Sequence, residues 1–113
     1  MVTADASFPQ RFSVYWVDLD PTRGHELRKT RPAVIISPDE LNRRLRTVII
    51  APLTTQSHVY PFRISCRIHG RDGYIVLDQL RTVDKIRLGD YMGDLDVDTQ
   101  AAALHALAAL FAP

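Results

Sequence analysis

Apolar and polar positions alternate in short runs along most of this chain. Between Phe62 and Ile68 the alternation is clean: Phe62, Ile64, Cys66 and Ile68 fall on one face, Arg63, Ser65 and Arg67 on the other. A period of two marks a strand half-covered by a core. Comparable β-rich runs recur at Ser13–Leu19, Ala33–Ser37, Thr47–Leu53 and Tyr74–Asp78, with shorter ones at Arg81–Val83 and Tyr91–Leu95, bounded by turn-forming residues. Two segments break the alternation, Ala33–Ile36 and Val48–Ala51, which are apolar throughout. Such runs suit central strands buried on both faces or packed against a partner chain. Val97–Phe111 is alanine-rich and helical in propensity, with Asp96 or Asp98 available as its N-cap. Leu104, Leu107, Ala108 and Phe111 form its apolar stripe, while Leu110 and the alanines leave little polar face, so burial on more than one side is expected. The pattern predicts a mainly β fold with a C-terminal helix, its strands curling into a small twisted barrel. The helix is expected to cover the second face of the apolar strands, and homodimerisation would cover more.

Length and composition fit one modest core: 113 residues, 46% apolar and 24% charged, sufficient for a single domain over residues 1–113 but not for two. Residues 1–10 look like a loose tail and residues 97–111 like the C-terminal helix. A lone cysteine, Cys66, excludes an intrachain disulfide, and four scattered histidines give no zinc-type spacing. The expectation is a cytoplasmic protein needing no metal or other cofactor. The N-terminus lacks the basic start and apolar core of a signal peptide, and no apolar run reaches bilayer length, so no membrane association is expected.

Charge is unevenly distributed behind a net +1. All fourteen Lys and Arg residues lie within residues 1–87 against nine acids, a net of +5; the last 26 residues hold four acids and no base, a net of −4. Twelve of the fourteen bases are arginine, whose planar guanidinium suits bidentate phosphate contact and stacking on bases. Solubility alone would also accommodate such a composition.

The densest candidate chemistry is residues 20–32, a polar loop hinged at Gly24 that carries Glu26 and ends in Arg31-Pro32 before the apolar run from Ala33. An arginine fixed at a strand start offers permanent charge to a phosphodiester, and a carboxylate five residues earlier can exchange a proton. Thr54-Thr55-Gln56-Ser57 follows the third strand, with hydroxyls suited either to a phosphate oxygen or to capping the strand end in a turn. Asp78-Gln79 ends another strand, where Gln79 can read a base edge or simply occupy a polar turn.

Taken together, four islands in register resemble the MazF/PemK family of toxin endoribonucleases. They are Tyr15-Trp16-Val17-Asp18-Leu19-Asp20-Pro21, Gly24-His25-Glu26 with Arg31-Pro32-Ala33-Val34, Pro52-Leu53-Thr54-Thr55-Gln56, and Asp78-Gln79-Leu80-Arg81-Thr82-Val83-Asp84-Lys85. The resemblance covers about Val14 to Leu95. It implies an SH3-like barrel with a C-terminal helix, a homodimer, and metal-independent, sequence-specific cleavage of single-stranded RNA, restrained by a cognate antitoxin. It also implies attack by the substrate's own 2′-hydroxyl, leaving a 2′,3′-cyclic phosphate and a free 5′-hydroxyl. The family's active-site arginine falls on Arg31, its threonine on Thr54 and its loop glutamate on Glu26.

In those roles Glu26 would take the 2′ proton, while Arg31 and Thr54 would stabilise charge developing on the phosphorane oxygens. If Asp78 is the base instead, Glu26 orders the loop. RNA contacts are expected from Arg28, Lys29, Gln56, Asp78 and Gln79. Where the family opens its first strand with a Gly-acidic pair, this chain has Phe12-Ser13, which alters the N-terminal packing. The rival reading from another class is a toxin of the same barrel type that poisons DNA gyrase by binding it; a passive nucleic-acid-binding barrel is a third.

Overall fold

The computed structural model describes residues 7–27, 29–56 and 60–113. In chain order they form β1 (Ser13–Asp18), β2 (Thr30–Ile35), α1 (Asp39–Arg44), β3 (Thr47–Thr54), β4 (Arg63–Ile68), β5 (Arg71–Val76), β6 (Arg81–Asp84), β7 (Leu88–Asp94) and α2 (Val97–Leu110), with single 3-10 turns at Leu77–Gln79 and Lys85–Arg87. All strand pairs are antiparallel. The sheet runs β4-β5-β3-β2-β1-β7, and β6 pairs with the first half of β3. The small barrel expected from the sequence is present as a curled half-barrel sheet, and its two end strands approach where the His69 ring at the tip of the β4–β5 hairpin meets the Met92 carbonyl of β7.

The fully apolar runs lie in the sheet's centre because both faces there are covered. Val34, Ile36, Ala51 and Leu53 join a core with Ile75, Leu77, Leu95 and the helix residues Ala103 and Ala106. Ala33, Ile35, Val48 and Ile50 point the other way, into a second core with Tyr15, Val17, Leu19 and Val83. The helix therefore covers only the first of these faces; strand curl and β6 cover the second. Nor does α2 bury the leucine stripe expected of it. Ala103 and Ala106 face the core, whereas Leu104, Ala108 and Phe111 are exposed and Leu107 is half-buried. Small side chains let the helix axis sit close to the sheet, and the larger ones are turned outward.

Two segments behave differently from the sequence expectation. The chain is anchored from Phe8, which is buried with the Arg43 guanidinium 4.9 Å over its ring, so the loose tail does not extend to residue 10; residues 1–6 lie outside the described residues. Phe12 takes a positive φ of 71° and is held by hydrogen bonds to Ile35 and from Leu95, which seats the unusual Phe12-Ser13 opening. The unforeseen helix α1 follows Pro38, with Asp39 and Glu40 in its first turn and Arg43 and Arg44 in its last, each favourable to the helix dipole. Its fully buried Asn42 is satisfied: Ser37 Oγ donates to Asn42 Oδ1 at 2.5 Å and Asn42 Nδ2 donates to the Ser37 carbonyl at 2.8 Å. Among the described residues no helix is long and apolar enough to cross a membrane.

Candidate active site

The site forms where two neighbouring strands part. The β2–β3 ladder runs from Ile35 opposite Ile50 to Ala33 opposite Pro52. There it stops, since Pro52 has no N–H to extend it. On the opposite edge of β3 the end of the strand pairs with β5, Leu53 opposite Ile75 and Thr54 opposite Tyr74. The β2–β3 register continued by two residues sets Arg31 across from Thr54 at the opening. A groove of about 250 Å³ occupies the divergence. Leu53, Cys66 and Ile68 give it an apolar floor, and Trp16, Arg31, Thr54 and Arg71 line it with an indole, two guanidinium groups and a hydroxyl.

Thr54 is buried, and its Oγ1 accepts a hydrogen bond from the Gln56 N–H at 3.3 Å. The turn-capping role and the groove-lining role thus coexist: the oxygen is fixed by the backbone while the hydroxyl proton remains to be donated. Gly73 lies against the other side of Thr54, where an added Cβ would stand 3.2 Å from the Thr54 carbonyl. Cys66 is not a nucleophile here. Burial, followed by the carboxylates of Asp96 and Asp72, pushes its thiol up to about 11, which leaves it neutral at physiological pH.

The loop from Asp20 to Lys29 is shaped by its own polar groups. The Arg23 N–H donates to Glu26 Oε1 at 2.8 Å, and the Glu26 N–H returns to the Arg23 carbonyl at 3.2 Å. Gly24 takes a φ of 58° within that turn, a conformation that costs glycine little. The loop's base is clipped by the Lys29 N–H donating to Asp20 Oδ1 at 2.9 Å, and the Leu19 N–H donating to the Lys29 carbonyl at 3.1 Å. From outside the loop, Arg81 donates to the Leu19 carbonyl at 2.9 Å and Arg87 to those of Asp18 and Asp20.

Not all the sequence candidates converge. Arg31 and Thr54 share the groove, but Glu26, Asp78 and Gln79 line a neighbouring cavity of about 250 Å³ with Leu27, Pro52 and Arg81. Pro52 faces that second cavity while Leu53 and Thr54, next along β3, face the first. Gln79 Oε1 accepts from the Leu27 N–H at 3.0 Å, and Asp78 Oδ1 from Arg63 Nε at 3.4 Å, so both have engagements inside the protein. Asp78 and Gln79 lie in the Leu77–Gln79 turn, and β5 ends at Val76. Lys29 and Gln56 are exposed beside the loop and the Thr54 turn; Arg28 lies outside the described residues. Trp16 and Arg71 were not singled out from sequence. Trp16 is 39% exposed on β1, opposite Pro32, and a large exposed ring beside a guanidinium is the signal that was available. Among the described residues no group of three or more His, Cys, Asp or Glu side chains could hold a metal ion.

Comparison with known proteins agrees with this architecture. The chain is 39% identical to the endoribonuclease toxin MazF of Escherichia coli over 75 residues, 66% of this chain and 68% of that protein. It is 38% identical to the endoribonuclease EndoA of Bacillus subtilis over 96 residues, 77% and 80% of the two chains. Among solved structures, MazF from Deinococcus radiodurans superimposes with a TM-score of 0.81 at 27% identity over 91% of this chain and 96% of that one. A mycobacterial endoribonuclease in complex with its cognate antitoxin gives 0.79 at 31% identity over 93% and 97%. Residues 10–111 match the model of the PemK-like, MazF-like toxins of type II toxin-antitoxin systems, and the chain belongs to that family.

Proposed function

We propose that the groove between β2 and β3 is the cleavage site of a metal-independent, sequence-specific ribonuclease acting on single-stranded RNA. As a family member the chain is an endoribonuclease toxin of a toxin-antitoxin system. The observation that supports this site is that Arg31 and Thr54 line one groove just beyond the last β2–β3 pair, Ala33 opposite Pro52. In the reaction the 2′-oxygen attacks the adjacent phosphorus as its proton passes to a carboxylate, and the P–O5′ bond breaks with the leaving 5′-oxygen taking a proton from solvent water. The products are a 2′,3′-cyclic phosphate and a 5′-hydroxyl. Arg31 and the Thr54 hydroxyl stabilise the equatorial oxygens as charge grows on them. A guanidinium is effectively always protonated, so electrostatic stabilisation is its role.

Glu26 is the proposed base, with Asp78 its alternative. Glu26 reaches the groove only if its turn opens and the loop closes over RNA, a rearrangement that apo geometry permits. Lys29 and Gln56, with Arg28, contact the strand flanking the scissile phosphate, and the exposed Trp16 ring offers a base a stacking surface. Unpaired RNA is required because an A-form duplex hides its base edges in a deep, narrow groove. A cognate antitoxin would occupy the same basic groove with an acidic segment, and a homodimer is the proposed assembly. Poisoning of gyrase by protein contact needs no arginine and hydroxyl facing each other across a groove.

The test is incubation of the protein with long single-stranded RNA in EDTA, with mapping of product ends. Discrete cuts bearing 5′-hydroxyls are expected, with kcat about 10²- to 10³-fold lower for Arg31→Ala and a smaller but clear loss for Thr54→Ala. Intact RNA with folded wild-type protein would remove the nuclease reading of this groove.

A further inference from the structure

The 3-10 turn Leu77–Gln79 is tied both to the loop that runs into Arg31 and to the residues that lead into β4. On one side the Gln79 carboxamide oxygen accepts from the Leu27 N–H at 3.0 Å, in a part-buried position that spans 52 residues of sequence. That N–H belongs to the peptide joining Glu26 to Leu27, and the Leu27 side chain packs on the core of Tyr15, Val17 and Leu19. On the other side Asp78 pairs with Arg63 at 3.4 Å, and the Arg63 guanidinium lies 4.7 Å over the Tyr60 ring just ahead of β4. Neighbouring residues thus hold the loop that bears Glu26 and, through Arg63, the Tyr60 ring ahead of β4.

We propose that the Asp78-Gln79 pair is a bracket for the active site, with Gln79 the positioning residue that orients the Glu26–Leu27 peptide. This rests on the ribonuclease reading above. The two arms differ in strength. Asp78 and Arg63 meet at 3.4 Å with Asp78 44% exposed, and exposed ion pairs contribute little. A part-buried N–H deprived of its acceptor costs more. Gln79 is therefore the dominant arm. A free loop would have to order itself at each binding event, whereas a bracketed one is already fixed at Leu27 when Glu26 leaves its turn and moves toward the groove.

Hydrogen exchange at the Leu27 amide and steady-state RNA cleavage, both on the full chain, test the bracket together. Gln79→Leu keeps the size of the side chain and removes the acceptor; Gln79→Glu keeps an acceptor oxygen and removes the amide donors. Expected are Leu27 exchange about fivefold or more faster in Gln79→Leu, near wild type in Gln79→Glu, and a parallel fall and recovery of kcat/KM at unchanged cleavage positions. Unchanged Leu27 exchange in Gln79→Leu would overturn the proposal. So would a Gln79→Glu protein that keeps its Leu27 amide protected yet cuts poorly or at new positions, because Gln79 would then read a base. Should wild type leave RNA intact, the ribonuclease reading fails and the exchange data alone decide whether the bracket exists.

Discussion

Gly73 has no side chain at the one place where a methyl group would press on the Thr54 backbone: the added Cβ would lie 3.2 Å from the Thr54 carbonyl and 4.0 Å from Cys66 Sγ. Gly73→Ala is expected to cost about 1 kcal/mol of stability as β3 and β5 yield. Because the strand that yields carries Thr54, cleavage should fall further than thermal unfolding alone explains; equal activity at a lowered melting temperature would show that Thr54 tolerates the shift. Arg31 and Thr54 were legible as site candidates because Arg31 stands before Pro32 and an apolar run, Thr54 brings a hydroxyl to a strand end, and both fall on the family's active-site positions. Glu26 was legible as a residue type but not as a neighbour, since its carboxylate is turned back onto Arg23. Trp16 on β1 and Arg71 and Gly73 on β5 reach the groove from two strands, and cross-strand meetings of that kind depend on a register that spacing along the chain does not reveal.

At the level of elements, the strands were readable and their ends less so. Alternation located β4 well, but Phe62 takes a φ of 65° and stands outside it. Helix α1 went unnoticed although Pro38, two acids and two arginines mark its ends, because six residues are too few for an apolar period. Helix α2 was readable from its alanines and its cap. Asp96 Oδ1 accepts from the Thr99 N–H at 2.7 Å, and hydrogen bonds from the Thr99 backbone and hydroxyl hold its carboxyl below the ordinary value of 3.8. A depressed carboxyl stabilises the fold above its unfolded value, and that contribution is lost as pH falls through the folded value. Denaturant titrations from neutral pH to below 3.8 should therefore show an acid loss that Asp96→Asn reduces, since the amide keeps the cap oxygen without the proton; an unaltered slope would assign the loss to other carboxylates. The leucine stripe misled because a helix lying close on a curled sheet buries its smallest residues.

For the molecule as a whole, Val97, Leu104 and Phe111 on α2 and Leu41 and Leu45 at α1 leave apolar side chains in solvent, as the proposed homodimer would require. Light scattering is expected to give about twice the chain mass of 12.8 kDa at micromolar concentration, and a stable monomer would refute the dimer. Chain order bears on the site in a different way. The loop preceding Arg31 is fastened by Gln79, Arg81 and Arg87 across 52, 62 and 69 residues, and the sheet is completed when β7 returns to β1. A ribosome making this protein extrudes Glu26, Arg31 and Thr54 well before any of those fasteners exists. The nascent polypeptide therefore carries the proposed cleaving groups without their arrangement, and competence against RNA waits on synthesis of the segment from Gln79 to the end of β7.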